Sequence, residues 1–226
     1  MAKVIVFDVN ETLLDMSALD PHFERLFGNA WTRQAWFQQL KELWLVGLVI
    51  DQFTPFGELA GAALRMTAEM KGISLTAEQE SAVVSALKEL PPHAEVGEAL
   101  GVLRDGGFAL ATLTNGGLSA VRAQLEYAAL EDYFDQVMSA EEVERHKPAR
   151  EPYRMAAERL GVAPGDIRMV AAHAWDIDGA AAAGCATAFV ARPGKVMNPA
   201  GPAPDLQASN LQDLAHQILD TDSPRS

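Results

Sequence analysis

The sequence predicts an α/β fold, a doubly wound parallel sheet whose first strand is followed by an all-helical insertion. Three observations carry this reading. Val4-Ile5-Val6-Phe7 is a run of four β-favouring apolar residues that ends on Asp8, as expected of a strand covered on both faces. From about residue 15 to 90 no strand pattern appears, and apolar positions recur every three or four residues. From His93 onward, strand-like and helix-like segments alternate, the signature of βαβ units. The expected domains are a core of residues 1–14 plus 92–226 and a helical cap of residues 15–91.

Each element has a local cause. In the insertion, Trp36, Phe37, Leu40, Leu43, Trp44 and Leu48 mark one helix, with Gly47 the only breaker among them. Thr76 before Ala77-Glu78-Gln79-Glu80 reads as a helix cap with acids in the first turn, and Pro91-Pro92 closes the region. Helices are then expected over residues 95–104, 118–130, 152–160, 177–183 and 211–219, stopped where Gly106, Gly161 and Gly184 follow. The intervening strands are expected over 108–113, 134–138, 167–172 and 187–190, and residues 220–226 read as frayed.

A chain of 226 residues can bury a sizeable core, and its 49% hydrophobic and 22% charged residues are ordinary for a globular protein. The formal net charge of −13 argues against nucleic acid or an anionic membrane as partner, and obliges any anionic substrate to find local cations. No apolar stretch approaches the roughly 18 residues of a membrane span, and the N-terminal segment lacks signal-peptide features. A cytoplasmic location is expected. The single cysteine, Cys185, follows Gly184 in an Ala-rich stretch and reads as a small buried filler.

Four polar clusters fall at or just beyond expected strand ends: Asp8 with Thr12, Thr114 with Asn115, Lys147 with Tyr153, and His173 with Asp176. In a parallel sheet the carboxyl ends converge on one crevice. Taken singly each has a plainer reading: Asp8 as a turn residue, Thr114-Asn115-Gly116-Gly117 as turn chemistry, Lys147 as a solvated charge, Asp176 as a helix cap. Their joint order is more specific. His22, His93, His146 and His216 lack the paired spacing of metal ligands and read as surface or loop residues.

In that order the chain resembles the haloacid dehalogenase superfamily, and within it the type II (S)-2-haloacid dehalogenases. The residues that carry the resemblance are Phe7-Asp8-Val9-Asn10-Glu11-Thr12-Leu13, Leu113-Thr114-Asn115-Gly116, Lys147-Pro148 with Tyr153, and Ala174-Trp175-Asp176. Phosphatases of the superfamily usually show a second acid where this chain has Asn10, and a Gly-Asp pair where it has Ala171. Phosphoryl transfer needs a divalent cation and a proton for the leaving oxygen. Halide departs as a stable anion and needs neither.

The resemblance implies hydrolysis of short (S)-2-haloacids to 2-hydroxyacids with no metal and no cofactor. Asp8 would attack C2 and form an ester that water then cleaves. Lys147 would hold Asp8 ionised; Thr12, Thr114 and Asn10 would bind Asp8 or substrate; Asn115 would donate to the halide. Asp176 would position water, Tyr153 would orient Lys147, and Trp175 would wall C2. A homodimer is implied as well. The halide-binding arginine of these enzymes falls on Trp36, with Phe37 beside it, and aromatic edges there would cradle the anion. Arg33, one turn earlier, reads as exposed, and Arg192-Pro193-Gly194-Lys195 as a solvated turn near the rim. His173 stands where these enzymes have asparagine, and is expected to donate to the water or ester, or to act as a base. The competing readings are a Mg²⁺-dependent phosphatase of the same superfamily, and a non-catalytic protein that binds a small acid or a partner.

Overall fold

The computed structural model describes residues 2–222. Six parallel strands form one sheet in the order β3-β2-β1-β4-β5-β6: β1 (Val4–Phe7), β2 (Ala109–Thr114), β3 (Gln136–Ser139), β4 (Ile167–Ala171), β5 (Ala186–Val190) and β6 (Leu206–Ala208). The order reverses between β1 and β4, so the crevice of a doubly wound sheet opens where Asp8 and His173 leave their strands.

β1 shows how four residues build two layers. Ile5 and Phe7 pack with Leu100 and Leu103 of α5 (Val96–Asp105) and with Leu214 and Ile218 of α9 (Leu211–Asp222). Val4 and Val6 point the other way, into a cluster with Tyr153 and Ala156 of α7 (Arg150–Leu160) and Ala180 of α8 (Ala174–Ala183). This is the period-2 alternation of a strand buried on both faces.

Between β1 and α5 the chain forms α1 (Asp20–Phe27), α2 (Thr32–Val49), α3 (Phe56–Met70) and α4 (Ala77–Ala86). Thr76 caps α4 in a full capping box with Gln79, as its sequence predicts. The apolar stripe of α2, including Trp36, Leu40 and Trp44, joins the same core cluster as Ile5 and Phe7. Among the described residues no helix is long and apolar enough to cross a membrane.

Three expectations change. The strand β6 is absent from the sequence reading because its three half-exposed or exposed residues carry no apolar pattern; pairing with β5 makes it a strand. The last helix continues through Asp222, because the Asp222 carboxylate is buried and pairs with Arg168 while accepting from the Ala2 N–H at 3.1 Å. The rest of the stretch read as frayed, residues 223–226, lies outside the described residues. Finally α8 begins at Ala174 with His173 at the N-cap position, so Asp176 sits inside the first turn and is not the cap.

Candidate active site

Asp8 leaves β1 at the sheet's carboxyl edge, and three side chains contact its carboxylate directly. Lys147 Nζ donates to Oδ1 at 2.9 Å, while Oδ2 accepts from Thr12 Oγ1 at 2.7 Å and faces His173 Nδ1 at 3.1 Å. The Thr12 hydroxyl is itself fixed, since it accepts from the Ala172 N–H at 3.0 Å. Burial alone would raise the Asp8 carboxyl, yet Lys147 and His173 hold it well below the usual carboxylate range. Asp8 is therefore ionised throughout neutral pH and oriented from two sides.

Lys147 is fully enclosed. Its ammonium uses all three donors, on Asp8, on Asp176 Oδ2 at 2.6 Å and on the Leu113 carbonyl at 2.7 Å. Burial opposes its charge, but Asp176 and Asp8 outweigh that and raise it above an ordinary lysine. Asn115 clamps the backbone of the same residue, accepting from Lys147 N at 2.7 Å and donating to Lys147 O at 3.1 Å.

The sequence reading expects Tyr153 to orient Lys147, but it makes no direct hydrogen bond to the ammonium; its hydroxyl donates to Asp176 Oδ1 at 2.6 Å, because α7 and α8 pack side by side, and so reaches Lys147 only through Asp176. Gly179, one turn beyond Asp176, permits that approach: a Cβ there would stand 2.7 Å from Tyr153 Oη and 2.6 Å from Pro148 Cβ. Asp176 thus has both oxygens occupied and no exposed surface. Its carboxyl is raised, first by burial and then by Asp8, against the pull of Lys147.

His173 bridges two carboxylates. Nδ1 faces Asp8, and Nε2 lies 2.8 Å from Glu11 Oε2. Its ring is stacked between Phe37, 5.8 Å away at 20°, and Trp175, 4.9 Å away at 24°. Burial would lower the imidazole, but Asp8 and Glu11 raise it, so the two carboxylates favour its protonated form. Glu11 is anchored in turn by Lys195 Nζ at 2.5 Å and by Arg33 at 3.8 Å; burial would raise its carboxyl, but His173 and then Lys195 bring it down to about 2.

This cluster makes folding pH-dependent in a defined window. The Glu11 contribution is complete above 4.5 and is lost as pH falls towards about 2; Asp8 follows the same direction. The His173 contribution is complete below 6.5 and is lost as pH climbs through its raised value. The raised Asp176 works against the acid limb. The expected thermal midpoint is highest between about pH 4.5 and 6.5, and melting curves of His173→Asn are expected to lose the alkaline decline.

Asp8, Asn10, Thr114, Asn115, His173 and Trp175 line a cavity with Phe37, Trp44 and Phe56 of the helical segment. Asn10 Oδ1 accepts from Gln124 Nε2 at 2.9 Å, and Thr114 Oγ1 accepts from the Gly116 N–H at 3.1 Å. The cavity holds about 20 Å³, room for one water. Its aromatic wall suits a carbon centre, and its polar floor an anion.

Several expectations need correction. Trp36 takes no part: it is fully buried, donates Nε1–H to the Ala60 carbonyl at 3.0 Å and packs on Phe23, since successive helix residues point about 100° apart and only Phe37 faces the site. Arg33 is buried against Asp20 and Glu11 rather than exposed. Arg192-Pro193-Gly194-Lys195 does form a turn, closed by the Lys195 N–H on the Arg192 carbonyl at 2.8 Å with Pro193 and Gly194 exposed, but its two cations are not solvated: Arg192 is buried on the Thr12 carbonyl and Glu95, and Lys195 binds Glu11. His146 is buried against Thr54 and Phe53, not on the surface. Glu11, Lys195 and Trp44 are the neighbours that sequence reasoning passes over; an imidazole beside Asp8, needing a partner for its second nitrogen, was the available signal for Glu11.

Among the described residues, no group of three or more His, Cys, Asp or Glu side chains is arranged to hold a metal ion. Residues 2–184 match the model of a family described as haloacid dehalogenase-like hydrolase. The (S)-2-haloacid dehalogenase of Pseudomonas sp. strain YL is 32% identical over 93% of this chain and 91% of that protein. The (S)-2-haloacid dehalogenase 1 of Pseudomonas sp. strain CBS-3 is 29% identical over 96% of each. Among solved structures, the L-2-haloacid dehalogenase of Xanthobacter autotrophicus superposes with a TM-score of 0.91 at 25% identity, covering 98% of this chain and all of that one.

Proposed function

The chain belongs to the haloacid dehalogenase-like hydrolase family, and we propose that it hydrolyses the carbon–halogen bond of short (S)-2-haloacids through an ester on Asp8, without a metal. The observation that carries this is an ionised, buried Asp8 whose donors fix it facing an aromatic-walled cavity. A carboxylate aligned behind C2 displaces halide with inversion, and the alignment supplies the rate advantage of an intramolecular reaction.

In this proposal Lys147 and Thr12 hold Asp8, and Asp176 with Tyr153 holds Lys147. Thr114, Asn10 and Asn115 supply polar contacts to the acid and the departing halide, while Phe37, Trp44, Phe56 and Trp175 enclose the carbon centre. Residues 15–91 act as a cap over the core of 1–14 and 92–226, and must part from it, because 20 Å³ admits no haloacid. A cytoplasmic homodimer belongs to the same proposal, with the exposed Val46, Val49 and Ile50 at the end of α2 as its apolar surface.

The test is halide release from each enantiomer of 2-chloropropionate, alongside phosphate release from an aryl phosphate, with EDTA or with Mg²⁺. Halide release from the (S) form alone, unchanged by EDTA, is expected. Mg²⁺-dependent phosphate release would replace the proposal with the phosphatase reading, and no turnover of either substrate class would point to a binding protein.

A further inference from the structure

We propose that Glu11 and His173 form a water-activating dyad: after the Asp8 ester has formed, His173, oriented by Glu11, removes the proton of the water that hydrolyses it. This rests on the ester reading above. The geometry is that of an imidazole with one nitrogen at the reacting carboxyl and the other on an orienting carboxylate, the arrangement that serves general-base catalysis elsewhere. Stacking between Phe37 and Trp175 fixes the plane of the ring, and the carboxylates at Nδ1 and Nε2 select its orientation within that plane. Asp176 is poorly placed for the same task, since Lys147 and Tyr153 occupy both its oxygens and it has no exposed surface.

Glu11 is built into this position. Its backbone takes a left-handed φ of 63°, uncommon for a residue with a side chain, and its N–H is held by the Leu14 carbonyl at 2.9 Å. The charged and titratable groups that face the dyad are Asp8 just after β1 with Lys147 behind it, Arg33 and Lys41 from α2, His93 on the Glu11 carbonyl, and Lys195 from the segment after β5. Each imidazole nitrogen therefore faces a carboxylate that is itself paired with a cation.

The chemistry balances. As the bond from Asp8 to C2 forms, the C2–halogen bond breaks and its electron pair leaves on halide. Asp8 thereby loses its charge, so His173 faces one carboxylate in place of two and releases a proton to solvent. Its Nε2–H stays on Glu11, and Nδ1 turns a lone pair to the ester. Nδ1 takes a proton from water as the water oxygen adds to Cγ of Asp8. The tetrahedral oxyanion collapses, the bond from Cγ to the product oxygen breaks, and the alkoxide takes that proton from His173. The Asp8 carboxylic acid then returns its own proton to Nδ1. The sum is haloacid plus water giving hydroxyacid, halide and one proton.

Rapid quench with (S)-2-chloropropionate tests this on wild type and Glu11→Gln. The variant is expected to keep its first-turnover halide burst, to lose about 10²-fold in kcat, and to accumulate an ester on the peptide carrying Asp8, read by mass. In wild type, ester hydrolysis is expected to rise with pH as His173 deprotonates. That limb moves to lower pH in Glu11→Gln, because the charge favouring imidazolium is gone. An unchanged kcat, an unmoved limb, or equal loss of burst and kcat without ester would overturn the dyad. If Glu11→Gln does not fold, His173→Gln is read by the same burst, kcat and ester mass, with the pH limb expected to vanish; a limb that persists would overturn the dyad. Failure of the ester reading looks different, since either Asp8→Asn would then still release halide or wild type itself would release none.

Discussion

Replacing Lys147 with methionine is expected to cost about 3–5 kcal/mol of stability and at least 10²-fold in halide release, because it leaves two carboxylates buried without their cation. The side chain has no exposed surface, and its ammonium bridges Asp8 and Asp176 at 2.9 and 2.6 Å. Methionine fills a similar volume but offers none of the three hydrogen bonds. One of the two acids must then take up a proton at neutral pH. Asp176 is the candidate, since burial and Asp8 already raise it.

The consequence separates stability from catalysis. Asp176→Asn removes one carboxylate and leaves Lys147 paired with Asp8, so its stability loss should be the smaller of the two. For a chain of this size the Lys147→Met loss corresponds to a fall of about 6–20 °C in melting temperature. A variant that melts within about 2 °C of wild type would show that the cluster is not ion-paired in solution.

How far the sequence reveals this site depends on which link of the argument a residue occupies. Asp8, Thr114 and His173 are legible because each stands at or just past an apolar strand, and strand ends in a parallel sheet converge. Lys147 and Asp176 are legible only through their joint order with the others. The helical insertion is legible as helices, whereas the direction of each side chain is not: Trp36 and Phe37 are neighbours in sequence, and only the packing of α2 on α3 shows that Trp36 turns to Ala60 and Phe37 to His173. Glu11 is hidden for another reason. Its reach to His173 depends on a left-handed backbone and on Lys195, 184 residues away, and no local pattern announces either. The same holds for Arg192, which does begin a turn but whose guanidinium is buried on the Thr12 carbonyl, a partner 180 residues away.

Asp8→Asn is expected to abolish halide release, a loss of about 10⁴-fold or more, and to eliminate any ester on that peptide. The reason is chemical before it is steric, since a neutral amide does not displace halide at C2. The substitution has a structural cost too. Lys147 donates to one oxygen of this carboxylate and Thr12 to the other, so the amide N–H₂ of asparagine must face a donor on one side or the other. Loss of a hydrogen bond to a charged group costs about 1.5–3 kcal/mol, which melting curves will show. His173 loses the same carboxylate and should titrate at lower pH than in wild type, a shift visible in the imidazole NMR signals. That shift is the useful control, because it mimics the charge state that the ester creates. If Asp8→Asn still releases halide at near wild-type rate, water attacks C2 directly and the covalent route fails. If release vanishes while the imidazole shifts as expected, the nucleophile is Asp8, and His173 is free to act on the ester because the first chemical step removes the charge that kept it protonated.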